Sequence, residues 1–295
     1  MMSSRNGVAM GAAGIALMCG MDAVAKALGT ELTTFQIVFV RYLGAALWLT
    51  LWIAVRGGTW PRRTDLPRQA VRAVLLFSTA SLFFYAVGQL PIAMVAALGM
   101  TAPLYVTLLG ALIFAEPITA RAWSALALGA AGAAIITFGG SAFNLPGNGG
   151  HPLAWAAALL APLSYAVLLV ILKHHSTREP PETMTMGQSL MAAALALPFA
   201  VGVLPEVSAQ TLGLATLIGL LGAVGFLLLI NGLKLIPVSV FAVIDYTGLL
   251  WAAAFGVVFF SEIPGPQLWI GGALIVLACI LGTPKASARD PAPVQ

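Results

Sequence analysis

Residues 90–128 read LPIAMVAALGMTAPLYVTLLGALIFAEPITARAWSALAL, and residues 236–274 read IPVSVFAVIDYTGLLWAAAFGVVFFSEIPGPQLWIGGAL. A shift of 146 residues lays one on the other without a gap. Ten pairs are then identical: Pro91/Pro237, Ala96/Ala242, Thr101/Thr247, Leu104/Leu250, Gly110/Gly256, Phe114/Phe260, Glu116/Glu262, Trp123/Trp269, Ala127/Ala273 and Leu128/Leu274. Apolar composition accounts for the shared Ala and Leu, but not for a Pro, a Glu and a Trp kept in one register. The chain therefore reads as a duplicated unit.

The rest of the chain shows what is duplicated. Of 295 residues, 60% are hydrophobic and 8% charged, with a mean hydropathy of +0.98. Soluble domains carry about a quarter charged residues, so a soluble enzyme and a disordered chain are both excluded. About 20 apolar residues cross a bilayer as a helix. Ten such runs are found, over residues 8–28, 34–55, 69–88, 92–114, 121–139, 152–172, 185–204, 211–232, 238–260 and 267–282. The first is not a cleaved signal peptide, because it is long, carries Asp22 and Lys26 and is followed by nine similar runs. The repeat thus spans five helices. Five is odd, so the second copy enters the membrane from the opposite side, and Glu116 and Glu262 are expected on opposite faces. Inverted repeats of this kind serve secondary transporters that alternate access around a midplane site.

Basic residues set the orientation. With the N-terminus inside, inner loops and tails hold Arg5, Arg56, Arg62, Arg63, Arg68, Arg72, Arg121, Lys173, Arg178, Lys234, Lys285 and Arg289. The outer loops hold Glu31, Glu206 and Glu262 and no Lys or Arg. This asymmetry predicts cytoplasmic termini. The net charge of +4 follows the membrane and is no signal for nucleic acid. The expected organisation is a first repeat over residues 1–140, an outer linker over 141–151, an inverted second repeat over 152–284 and a tail over 285–295.

Phe84-Tyr85-Ala86, Leu90-Pro91, Pro103, Glu116, Trp123, Gly129 and Gly132 together resemble the repeat signature of the EamA domain of the drug/metabolite transporter superfamily. The second half keeps Pro237, Glu262 and Trp269 but has Leu249 where Pro103 would predict proline. The resemblance implies an all-α membrane protein of ten helices in two inverted five-helix repeats. It implies a carrier of the cytoplasmic membrane, similar to the YddG-type exporters of aromatic and other amino acids. The segment from Asp22 to Lys26 with Phe39-Val40-Arg41 also resembles members that import S-adenosylmethionine or riboflavin, so direction and substrate stay open. The partners so implied are a small-molecule substrate and the bilayer, with a monomeric carrier as the expectation.

Ionisable groups inside a span ask for a reason, since each costs about 2.5–3.5 kcal/mol at the bilayer centre on insertion scales. Asp22 and Lys26 are four apart on one helix face, and Arg41 lies at a similar depth in the second span. The three can neutralise one another structurally, or form an outer gate or a contact for a substrate carboxylate. Asp245 has no basic residue on its own span, and its repeat mate is Gly99. It is either a hydrogen-bonded group facing Asn231 or Tyr85, or a contact for a substrate ammonium or a coupling proton. Tyr85, Tyr105, Tyr165, Tyr246 and Trp251 lie within spans, and the mates Tyr105 and Trp251 suit either a cavity lining or core packing. Trp48, Trp52, Trp60, Trp123, Trp155 and Trp269 lie nearer to span ends, as in an interfacial belt. Pro103, Pro162 and Pro198 are candidate hinges or fixed kinks, and Gly129/Gly132, Gly219/Gly222/Gly225 and Gly271/Gly272 permit close helix approach.

Other chemistries lack residues. No GxxxxGK[ST] loop is present, so no cofactor nucleotide is expected, and no HExxH motif occurs. His151, His174 and His175 lie at span ends, and Cys19 and Cys279 fall in apolar runs, so neither a metal site nor a disulfide framework is expected. No catalytic residue is expected. A channel or an intramembrane enzyme would be the rival classes.

Overall fold

The computed structural model describes residues 4–89, 98–99, 101–115, 118–138, 152–176, 179–201, 208–261 and 266–282. Pro91, Glu116, Glu206, Glu262 and His151, and the expectations resting on them, lie outside these residues. Every regular element described is helical: α1 (Ser4–Leu28), α2 (Thr34–Arg56), α3 (Leu66–Gln89), α4 (Ala102–Phe114), α5 (Ala120–Phe138), α6 (Pro152–Ser176), α7 (Pro181–Ala200), α8 (Ala209–Leu235), α9 (Val238–Asp245), α10 (Thr247–Phe260) and α11 (Pro266–Gly282). A one-turn 3₁₀ helix, Arg63–Asp65, precedes α3.

Local chemistry places the ends. Thr33 caps α2 by accepting from the Gln36 backbone N–H, and the Gln36 side chain accepts from the Thr33 N–H. Gly57 closes the same helix with φ 71°, a conformation open to glycine. Ser208 caps α8 through the Thr211 N–H. By length and composition alone, five described helices can cross a membrane: Ser4–Leu28, Thr34–Arg56, Pro152–Ser176, Ala209–Leu235 and Val238–Phe260. The apolar segments Ala102–Phe114, Ala120–Ile135 and Trp269–Leu281 are shorter, and α3 carries Arg68 and Arg72 in its first turns.

The repeat is visible in the backbone. Ala115 and Ser261, mates under the shift of 146 residues, end α4 and α10 in the left-handed conformation with φ 52° and 55°. They are the only non-glycine residues with positive φ among those described. The packing repeats as well. The principal helix pairs join one repeat to the other: α1–α8 and its mate α3–α6, α2–α8 and its mate α3–α7, α1–α10 and its mate α4–α6. The pairs α2–α7 and α5–α11 are their own mates. The halves are thus interleaved, and neither has a core of its own.

Small residues make that interleaving possible. A Cβ on Gly14 would sit 2.8 Å from the Leu229 nitrogen, and one on Gly219 would sit 2.6 Å from the Gly44 backbone. Gly129 leaves the notch in which the Tyr246 ring lies. Large apolar side chains instead cover the outside, with Leu112, Val258 and Trp269 each 70% exposed or more. A water-soluble protein does not present such a surface; lipid covers it without cost.

Two expectations about helix interruption change. α6 and α7 run through Pro162 and Pro198 without a break. Pro103 stands in the first turn of α4, where its missing N–H costs nothing. The break in the ninth span falls instead at Tyr246, where no proline occurs. Tyr246 stays in the right-handed helical region (φ −59°, ψ −23°), and Leu249 bonds back to the Tyr246 carbonyl, a tight three-residue turn between α9 and α10. In the first repeat, Thr101 makes the same kind of turn by accepting from Leu104.

Candidate functional site

The polar residues of the spans gather along one face of α1 and the broken ninth span. α1 runs beside α9 and α10 in the same direction, with Gly11 against Phe241, Ile15 and Cys19 against Gly248, and Gly20 against Phe255. Asp245 ends α9, and Tyr165 of α6 donates its hydroxyl to Asp245 Oδ1 at 3.4 Å. Cys19 donates its thiol to the Gly248 carbonyl at 3.4 Å, and Cys279 donates to the Val243 carbonyl at 3.6 Å. Each cysteine therefore serves a carbonyl on one side of the break.

One turn beyond Cys19 stands Asp22. Its surface is accessible, yet protein surrounds it at longer range, as for a group lining a deep crevice. Arg41 acts on it electrostatically, and Tyr42, held through its hydroxyl by the Leu76 carbonyl at 3.4 Å, lies in the field of both. Cys19 feels both Asp22 and Asp245. Three residues separate Asp245 from Gly248, and three separate Cys19 from Asp22. At 1.5 Å per residue, the two carboxylates stand roughly 9 Å apart along the column. The Lys26 ammonium lies 4.2 Å from the centre of the Phe260 ring, a cation–π contact.

Aromatic rings flank the column. Trp251 and Phe255 have centroids 6.4 Å apart, and Phe255 and Phe259 5.9 Å, a ladder at every fourth residue of α10. Trp251 is half-exposed, and Tyr105 on α4 is partly buried against the core.

Some sequence-based expectations do not meet here. Asn231 donates to the Leu227 carbonyl of its own helix at 2.8 Å, with no described contact to Asp245. Tyr85 is exposed on α3 with no described contact to Asp245. Tyr246 is fully buried behind Gly129, so its ring is core and does not line an accessible space. Tyr165 and Cys19, which do belong to the column, were not among the expected site residues. No group of three His, Cys, Asp or Glu that could hold a metal occurs among the described residues.

An interleaved pair of five-span repeats around a polar column can be set against known proteins. The description of the EamA-like transporter family matches residues 5–138 and 153–283. The chain belongs to that family. Each match covers one repeat. Among its relatives is the pseudopaline exporter CntI of Pseudomonas aeruginosa, 27% identical over 88% of this chain and 89% of that one. The riboflavin transporter of Rhizobium johnstonii is 30% identical over 80% of this chain and 77% of its own length. An S-adenosylmethionine uptake transporter of Rickettsia prowazekii is 22% identical over 88% and 86%. A solved crystal structure superposes with a TM-score of 0.83, covering 96% of this chain and 99% of the other, at 20% identity; this shows the fold. This EamA-family chain is a multi-pass membrane protein whose relatives are named as carriers of small molecules.

Proposed function

We propose that this protein exports amino acids, aromatic ones included, and related small amphipathic metabolites across the cytoplasmic membrane by alternating access. The observation that carries the reading is the column itself, in which opposite charges and aromatic faces stand between two interleaved repeats. Asp245, with Tyr165 holding one carboxylate oxygen, takes a substrate ammonium or a coupling proton. Arg41, balanced by Asp22, takes a substrate carboxylate. The Trp251–Phe255–Phe259 ladder offers flat apolar surface to an aromatic or amphipathic body. A simple α-amino acid carries both charges on one carbon and meets one centre at a time. A longer metabolite with charges roughly 9 Å apart spans both. The gathering of basic residues at one end supports cytoplasmic termini.

A second reading, uptake of a metabolite such as S-adenosylmethionine or riboflavin, is favoured by the relatives named for those activities. Counterflow in proteoliposomes separates the two. Vesicles loaded with one solute are offered labelled phenylalanine, tryptophan, leucine, S-adenosylmethionine and riboflavin in turn. Saturable exchange of the amino acids supports the first reading. Exchange of S-adenosylmethionine or riboflavin alone establishes the second. Flux that never saturates would make the protein a channel.

A further inference from the structure

At the end of the bundle that carries Arg62, Arg63 and Arg68, the repeats are tied by buried ions. Arg72 of α3 is fully buried. Its guanidinium donates through Nη2 to Glu179 Oε2 at 2.8 Å and through Nη1 to His175 Nδ1 at 2.8 Å. A guanidinium only donates, so His175 receives on Nδ1 and carries its proton on Nε2. Arg68 Nη1 lies 3.5 Å from the other Glu179 oxygen. Nearby, Thr183 of α7 donates to the Thr59 carbonyl at 2.8 Å, and the buried Gln69 amide fills the space left by Gly187. All these contacts join the first repeat to the second.

The two-fold mate of this place lies at the opposite end. There the loop between α1 and α2 offers Glu31 to the first turn of α8, and Thr211 donates its hydroxyl to the Glu31 carboxylate. In each repeat, a carboxylate between the first two helices thus holds the start of the third helix of the other repeat. The two ties differ in kind. One is a buried guanidinium–carboxylate pair with a half-buried imidazole on it. The other joins an exposed carboxylate to a neutral hydroxyl.

We propose that Arg72, Glu179 and His175 form the latch closing the basic-end mouth of the transport pathway, and that Glu31 and Thr211 form its weaker counterpart at the other mouth. The inference rests on the carrier reading. Alternating access needs each mouth to open in turn, and each opening separates the start of α3 or of α8 from the loop it meets. The basic-end tie joins a buried cation to a buried anion and adds a second bond to the imidazole, whereas the other tie is one bond to an exposed carboxylate that water can replace, so the chain rests with the basic-end mouth shut. The α3 and α8 contacts are cross-repeat positions where a small change shifts the balance between the two states.

The test uses Cys19 as reporter, in full-length protein carrying Cys279→Ala so that Cys19 is the single thiol. Alkylation by an impermeant maleimide is timed from each face of oriented membrane vesicles, with counterflow followed in parallel. Glu179→Gln should raise the rate from the basic-end face at least tenfold and lower it from the other face. Thr211→Val should shift the rates the opposite way by a smaller factor. If Glu179→Gln leaves Arg72 unpaired and the protein does not fold, Arg72→Met/Glu179→Met removes both charges and should give the same shift. A folded variant of either kind whose Cys19 rates equal the parent's at both faces overturns the latch. If the rates shift as stated while the parent catalyses no counterflow, the latch stands and the carrier reading falls.

Discussion

The glycine seam between α1 and α8 gives a prediction whose size follows from the structure. A Cβ on Gly232 would lie 2.7 Å from the Gly11 nitrogen, 2.9 Å from its Cα and 3.0 Å from the Gly7 carbonyl oxygen. All three are backbone atoms of α1, so no side chain can swing aside. Ordinary contact requires about 3.5–4 Å, so Gly232→Ala pushes the helices roughly 1 Å apart. A gap of that size forfeits between a quarter and a half of the dispersion energy along the seam. Overpacking of this kind costs about 1–3 kcal/mol, a fall in Tm of roughly 2–5 °C for a chain of this size. Gly213 provides the control within the same helix, because a Cβ there meets nothing within 4 Å. Gly213→Ala should hold or gain stability, since glycine inside a helix is worse than alanine by about 0.5–1 kcal/mol. The assay is thermal unfolding of detergent-solubilised protein, followed by tryptophan fluorescence and the monodisperse fraction after heating. A Gly232→Ala protein as stable as Gly213→Ala would show that α1 and α8 do not meet backbone to backbone. The interleaved packing would then be wrong along that seam.

Other consequences are simpler to state. A cysteine at Ser208 should label with an impermeant reagent in intact cells, while Lys234→Cys should label only after lysis; labelling of Lys234→Cys in intact cells would reverse the orientation. Asp22→Ala leaves Arg41 without its carboxylate and should lower stability by about 1–3 kcal/mol; a stable variant that has lost only substrate affinity would instead place Asp22 in the binding site. Asp245→Asn keeps volume and most hydrogen bonding, so it should fold and lose at least tenfold in counterflow, whereas Tyr165→Phe should cost about 2–10-fold, as one neutral hydroxyl does. Combining the two should add little; additive losses would show that Tyr165 does not act through Asp245. Tyr246→Phe should transport as the parent does and unfold no earlier, because the buried Tyr246 hydroxyl has no described partner; a large transport loss would return Tyr246 to the site.

How far the sequence could be read is decided by distance along the chain. The duplication was legible because Pro, Glu, Thr and Trp recur in one register, and the matching left-handed turns at Ala115 and Ser261 lie in that register. Span positions were legible because a helix in lipid satisfies its own backbone, so hydropathy alone marks it. The break at Tyr246 was not. No glycine or proline stands at that position, and the proline of the other half, Pro103, occupies a first turn. What stabilises the break are thiols from other helices, Cys19 and Cys279, and an apolar run gives no hint that a thiol is a donor.

The site and the latch were hidden for a common reason. Cys19 meets Gly248 across 229 residues, Thr211 meets Glu31 across 180, and Arg72 meets Glu179 across 107. A repeat that buries itself against its inverted copy places these partners on the other copy, so local periodicity reports only half of each such pair. Arg68 and Arg72 were therefore read as loop charges obeying the orientation rule. Arg72 is sealed beneath the second repeat, where an unpaired guanidinium would be prohibitive. Burial of that charge against Glu179 requires the second repeat to lie over α3, and transport by rocking the repeats would require the same contact to break. A charge that the orientation rule treats as a marker thus stands at a junction between the two repeats.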